Sequence, residues 1–203
     1  MELVNRIYRK KETDWMGVFH ASAISFQNRS IMFAGDSGSG KSTICALLMA
    51  AGFNLVADDF VPVEGLSRRV YPFPAALSVK KSALTTLQQL FPGLAQADEF
   101  SYPAVDKTVR YLSPEVQSGN IQAEYLCKAL VFVRYKEFSG MTLEKLPNDI
   151  AFQKLVPDSW ISPLEENAVR FLDWFLDLPC YHLTYSDTKE MIIAIRKIFN
   201  DDL

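Results

Sequence analysis

The sequence predicts an α/β fold, a mixed sheet with flanking helices. Three observations carry that prediction. The first 64 residues are rich in short apolar and β-branched runs of strand length. One of them, Arg29 to Ala34, runs straight into a Gly/Ser loop and then an apolar segment, Ser42 to Ala51, closed by Gly52. The most hydrophobic run, Ala129 to Val133, reads as a central strand and is followed by helical patterns and a last strand, Cys180 to Tyr185.

Each element has a local cause. Met16 to His20 and Ala21 to Phe26 read as strands, and the Gln27-Asn28 turn makes a hairpin of the second with Arg29 to Ala34. Gly52 stands where a helix C′ glycine belongs, and Asn54 to Ala57 follows as a strand ending on Asp58-Asp59. A strand, helix, strand order implies a parallel crossover. Phe60 to Glu64 and Arg69 to Tyr71 read as a hairpin around Gly65, and Ser82 to Leu90 as a helix stopped at Pro92-Gly93. Pro147 to Val156 and Ser162 to Leu178 read as helices, the second with Ser162 as N-cap, Pro163 at N1 and Glu165 at N3. Phe171, Trp174 and Phe175 on it fall at core spacing. Asp187 caps a terminal helix, Thr188 to Phe199. The stretch 94–120, with its prolines and polar residues, is predicted to be the least regular and to be mobile or substrate-facing.

The balance of 49% hydrophobic and 22% charged residues over 203 positions is that of one globular domain spanning 1–203, which needs neither disulfides nor a structural metal. A net charge of −3, with no long run of either sign, lacks the footprint of a nucleic-acid binder. No stretch approaches the ~20 apolar residues of a membrane span, and the start Met1-Glu2-Leu3 is not a signal peptide. Cys45, Cys127 and Cys180, odd in number and each in apolar surroundings, read as buried thiols of a reducing compartment. A cytoplasmic location is the resulting expectation.

The stretch Gly35-Asp36-Ser37-Gly38-Ser39-Gly40-Lys41-Ser42 matches G-x-x-x-x-G-K-[ST] at every fixed position, after a strand and at the opening of a helix. Its glycines allow backbone conformations that turn N–H groups around a phosphate, and the helix start, with Thr43, adds its unpaired amides. In this pattern Lys41 reaches the β and γ phosphates and the Ser42 hydroxyl ligates Mg²⁺.

Asp58-Asp59 lies one helix and one strand after Lys41, at the sheet edge where open α/β sheets bind ligands. Two carboxylates there can divide metal binding and proton acceptance; a solvated strand-end turn is the other reading of the same pair. His20, at the end of an apolar strand, either assists a carboxylate or packs as a core residue. His182, inside the last strand, reads as structural.

The segments His20-Ala21-Ser22-Ala23, Met32 to Ser42 and Ala51 to Asp59 resemble the nucleotide-binding core of bacterial HPr kinase/phosphorylase and its related serine kinases. The close resemblance covers His20 to Glu64, within a nucleotide core of about 16–64; Pro72 to Lys80, Val109 to Leu112 and Leu178 to Leu183 are similar more weakly. It implies a phosphate-loop fold of the HPr kinase and phosphoenolpyruvate carboxykinase type, a homo-oligomer (a hexamer), and transfer of phosphate from ATP, with Mg²⁺, to a serine of a protein or peptide. Carried onto this chain, it makes Lys41 a phosphate ligand, Ser42 and Asp59 the Mg²⁺ ligands, Asp58 the general base supported by His20, and Lys80 a phosphate or acceptor contact. The family's acidic, arginine-bearing glycine-rich signature is absent from the aligned Tyr71 to Ala76, where Ala75 replaces an arginine of the relatives. A third metal carboxylate is therefore not identified, and phosphorylase activity is not implied. Arg68, Arg69, Lys81, Lys107 and Arg110 are further candidates to clamp phosphate, each also readable as a surface charge. A nucleotide-binding sensor or scaffold without phosphotransfer, and a small-molecule kinase, are the alternative functions.

Overall fold

Along β3 (Arg29–Ala34) successive side chains enter opposite cores: Ile31 and Phe33 pack on one face of the sheet, Met32 and Ala34 on the other. β10 (Tyr125–Tyr135) divides in the same way, with Leu130 and Phe132 on one face and Ala129, Val131 and Val133 on the other. Burial of both faces is why these strands read as unbroken apolar runs instead of alternating ones. The computed structural model of the chain describes residues 1–73, 75–103, 107–113 and 124–202.

The main sheet is mixed. Its order is β12 (Trp160–Ile161), β1 (Trp15–Phe19), β5 (Val61–Glu64), β6 (Arg69–Val70), β10, β3, β2 (Ser22–Phe26) and β4 (Asn54–Ala57). β10 also pairs in parallel with β13 (Cys180–Tyr185), which pairs with β11 (Thr142–Lys145). Because β10 is parallel to β3, and β2 is antiparallel to both β3 and β4, the strands β3, β4, β10 and β13 all end at one edge of the sheet. That edge collects the loop after β3, the aspartates after β4 and the end of β10.

Helices cover both faces. α2 (Lys41–Ala50) and α6 (Thr188–Asn200) pack with Phe33 and Val131; α4 (Asn148–Leu155) and α5 (Glu165–Asp177) pack with Phe19 and Phe132. Phe171, Trp174 and Phe175 of α5 are buried, as their spacing requires, and Asp187 caps α6 by accepting from the Glu190 amide at 2.8 Å. A second sheet, β7 (Leu77–Lys80), β9 (Lys107–Leu112) and β8 (Glu99–Tyr102), stands with α3 (Lys81–Leu90) beside α2. Among the described residues no helix is long and apolar enough to cross a membrane.

Three local readings change. Ser162 does not cap α5, which starts at Glu165 behind Leu164. Its buried hydroxyl instead accepts from Asn167 Nδ2 at 3.1 Å, while that amide also donates to the carbonyls of Thr13 and Trp15. The demand of a buried polar knot outweighs a local cap. The stretch 94–120 is more regular than its composition suggests, since it supplies β8 and β9; residues 104–106 and 114–120 of it lie outside the described residues, as does Pro74 of the Pro72 to Lys80 segment. α1 (Glu2–Tyr8) and β11 were not expected.

Candidate active site at the strand-end edge

Between β3 and α2 the chain turns through Gly35, Gly38 and Gly40 at φ +136°, +90° and +109°. A Cβ at Gly35 would stand 2.9 Å from Ser39 Oγ and 3.2 Å from the Val133 carbonyl oxygen, so neither the conformation nor the space admits another residue. Lys41 opens α2 almost fully buried, and its ammonium donates to the carbonyls of Gly35 at 2.7 Å and Asp36 at 3.3 Å. Burial lowers its pKa below the ordinary lysine value, against the opposing pull of Asp59, Asp58 and Asp36.

The two aspartates part company at the end of β4. Asp58 is only 3% exposed and accepts from Ser22 Oγ at 2.5 Å, Ser42 Oγ at 2.9 Å and the Ser78 amide at 3.1 Å. Burial raises its pKa above the usual carboxylate value, the charge of Asp59 adds to that, and the three donors hold it back. Asp59 adopts φ +64°, a conformation Asp tolerates better than most residues. Its side chain lines the cavity.

That cavity, of about 150 Å³, is lined by His20, Ser37, Gly38, Gly40, Lys41, Ser42, Thr43, Asp59, Ser78, Lys80, Ser82 and Lys107. It thus joins His20 after β1, the loop and start of α2, the acid after β4, and two lysines of the second sheet. Lys80 Nζ lies 3.3 Å from Ser37 Oγ, at the lip of the loop.

Most candidates from the sequence meet here. Gly35, Asp36 and Ser39 shape the loop without lining the cavity. The resemblance pairs Ser42 with Asp59 as metal ligands; the Ser42 hydroxyl donates to Asp58, while Asp59, at a left-handed turn, lines the same cavity as Ser42. Arg68 and Arg69 are engaged with Asp173 and Glu124, Arg110 with Glu99 and the carbonyls of Leu94 and Ala95, and Lys81 does not line the cavity. Ser22, Ser78 and Ser82 were given no role by sequence reasoning. For Ser22 a signal existed: a hydroxyl inside an otherwise apolar strand wants a partner, and that partner is Asp58. His182 lies along β13, away from the cavity wall.

Among the described residues no group of three or more His, Cys, Asp or Glu side chains stands together as a metal cage. One hydroxyl and one buried carboxylate, Ser42 and Asp58, is a donor set that fits Mg²⁺, which keeps most of its waters and takes phosphate oxygens for the rest.

No protein-family model matches the chain, and no curated protein matches it in sequence. Among solved structures, the Hpr(Ser) kinase/phosphatase from Coxiella burnetii is similar over 91% of this chain and 89% of that one, at 10% identity and a TM-score of 0.41.

Proposed function

We propose that the protein is a phosphate-loop phosphotransferase that moves the terminal phosphoryl group of ATP to a hydroxyl, that of a serine in a protein or peptide. The observation that carries this is the meeting, in one cavity, of a lysine-bearing glycine loop, the Asp59 carboxylate and His20, with the buried Asp58 bonded to the cavity-lining Ser42. The choice of ATP as donor and of a serine as acceptor comes from the sequence resemblance.

In this reading Lys41 and Lys80 face the charge of the terminal phosphates, and Ser42 and Asp58 would hold Mg²⁺, which would supply further neutralisation of that charge. Asp59, within the cavity with His20, accepts the proton of the acceptor hydroxyl as its oxygen bonds to phosphorus and the bridging oxygen leaves with ADP. The two aspartates thereby exchange the roles that the resemblance implies. Support for the exchange is that Asp58 is already engaged by three donors, one of them Ser42, whereas Asp59 is at the cavity wall.

The test is calorimetric titration of ATP and Mg²⁺ into the wild type and Lys41→Ala, then ATP turnover with hydroxyl acceptors of protein, peptide and metabolite type. Saturable binding lost in the variant, with turnover on a polypeptide acceptor, is the expected result. Binding without turnover would leave a nucleotide sensor, turnover on metabolites alone would make it a small-molecule kinase, and no binding to the wild type would end the nucleotide reading.

A further inference from the structure

We propose that Tyr135 and Phe138, at the end of β10, form the platform on which the base of the nucleotide stacks; this rests on the nucleotide reading above. Nothing in the motif assigns a base site, because the glycine loop and Lys41 address only phosphates.

The sheet order sets the direction. Asp59 follows β4, which lies on one side of β3, and β10 lies on the other. A phosphate chain seated on the loop with its terminal group towards Asp59, Lys80 and His20 points its remaining, nucleoside end towards β10. What stands there is aromatic and tied to the loop. The Tyr135 amide donates to the Ser39 carbonyl at 3.0 Å, and the Tyr135 Cβ is 3.5 Å from where a Cβ of Gly40 would be. Tyr135 is 51% exposed, its ring held edge-on by the buried Tyr185 at 5.6 Å between centroids.

Phe138 is 93% exposed and at φ +57°, in the left-handed region that a bulky side chain rarely adopts. The turn that presents it is pinned: the Ser139 amide and hydroxyl both donate to the Lys136 carbonyl, and Ser186 Oγ donates to the Ser139 carbonyl at 2.5 Å. A phenyl ring held in water on a strained backbone is unfavourable twice over, and a planar ligand laid against the ring removes the first of these costs. Stacking on two rings suits a nucleobase, since every base offers a π-face.

The experiment compares two probes, Mg²⁺-ATP and Mg²⁺-tripolyphosphate, by calorimetry on wild type, Tyr135→Ala, Phe138→Ala, Phe138→Trp and Phe60→Ala. Phe60 is 55% exposed on the Asp59 side of the loop and serves as the control. The platform predicts that wild type binds ATP more tightly than tripolyphosphate. It also predicts that Tyr135→Ala and Phe138→Ala each weaken ATP about tenfold and leave tripolyphosphate within twofold, while Phe138→Trp retains ATP affinity and Phe60→Ala changes neither probe. ATP binding no tighter than tripolyphosphate, unchanged in both alanine variants, weakened equally with tripolyphosphate, or weakened by Phe60→Ala in their place would overturn the platform while leaving the nucleotide site standing. Wild type binding neither probe would remove the nucleotide site, and the platform with it.

Discussion

Ser42 Oγ stands 2.9 Å and 3.1 Å from the two carboxylate oxygens of Asp58, which is buried at the end of β4, across β2 from the strand that feeds the loop. The hydroxyl of the motif serine and a carboxylate from a separate strand end are therefore in contact.

Asp58 carries a burial penalty, so Asp58→Asn is expected to stabilise the ligand-free protein at neutral pH, by about 1 kcal/mol or a Tm rise of roughly 2–4 °C, while phosphotransfer is lost. The sign follows from linkage: a carboxyl whose pKa is raised on folding binds its proton more readily in the native state, so stability falls as pH rises from the unfolded value of 3.8 through the folded one. Thermal melts from pH 4 to 8 should show this fall in the wild type and a flatter profile in the variant.

Asp59→Asn separates the roles of the two acids. As the proton acceptor's loss, it is expected to lower kcat by about 10²–10⁴-fold with ATP affinity within a few-fold of wild type. Asp58→Asn is expected to weaken Mg²⁺-dependent ATP binding itself. Steady-state kinetics beside calorimetry on both variants reads the difference, and the reverse pattern would restore the assignment that the resemblance implies.

Asn167 joins α5 to β1 through its 2.8 Å and 3.1 Å bonds to Thr13 and Trp15, together with Ser162. Removing the amide strands buried partners on three segments. Asn167→Ala is expected to cost about 3 kcal/mol, seen as a Tm drop of roughly 6–12 °C, and a drop under 2 °C would deny the knot its structural weight.

The thiols of Cys45, Cys127 and Cys180 are free and buried, and burial pushes Cys127 up to about 12 and Cys180 to about 11. None is expected to react with a disulfide reagent at pH 7 in the folded protein, and all three in denaturant, as counted by released chromophore.

How far the sequence could be read depended on whether the signal was local. Gly35, Gly40, Lys41 and Ser42 announce themselves because loop geometry is written in adjacent residues, and the strand boundaries of Arg29–Ala34 and Cys180–Tyr185 follow from apolar runs. Lys107 could not be told from a surface lysine, and Lys80 only through the resemblance, because what brings them to the cavity is the pairing of β7 with β9 across 27 positions of chain. Ser162 misled for the same reason, its partner Asn167 being tied in turn to a strand some 150 residues away. Asp58 and Asp59, adjacent in sequence, are sorted only by the backbone turn between them.

The bonds that Lys41 makes to the carbonyls of Gly35 and Asp36 have a kinetic consequence. In the proposed function an arriving phosphate does not meet an idle ammonium but must take it from its own loop. Entry is then an exchange of partners with a small net enthalpy, and the same carbonyls reclaim the lysine when product loosens. In a phosphotransferase of the proposed kind the loop would thus be an internal competitor for its ligand, one that weakens capture and eases the departure of product.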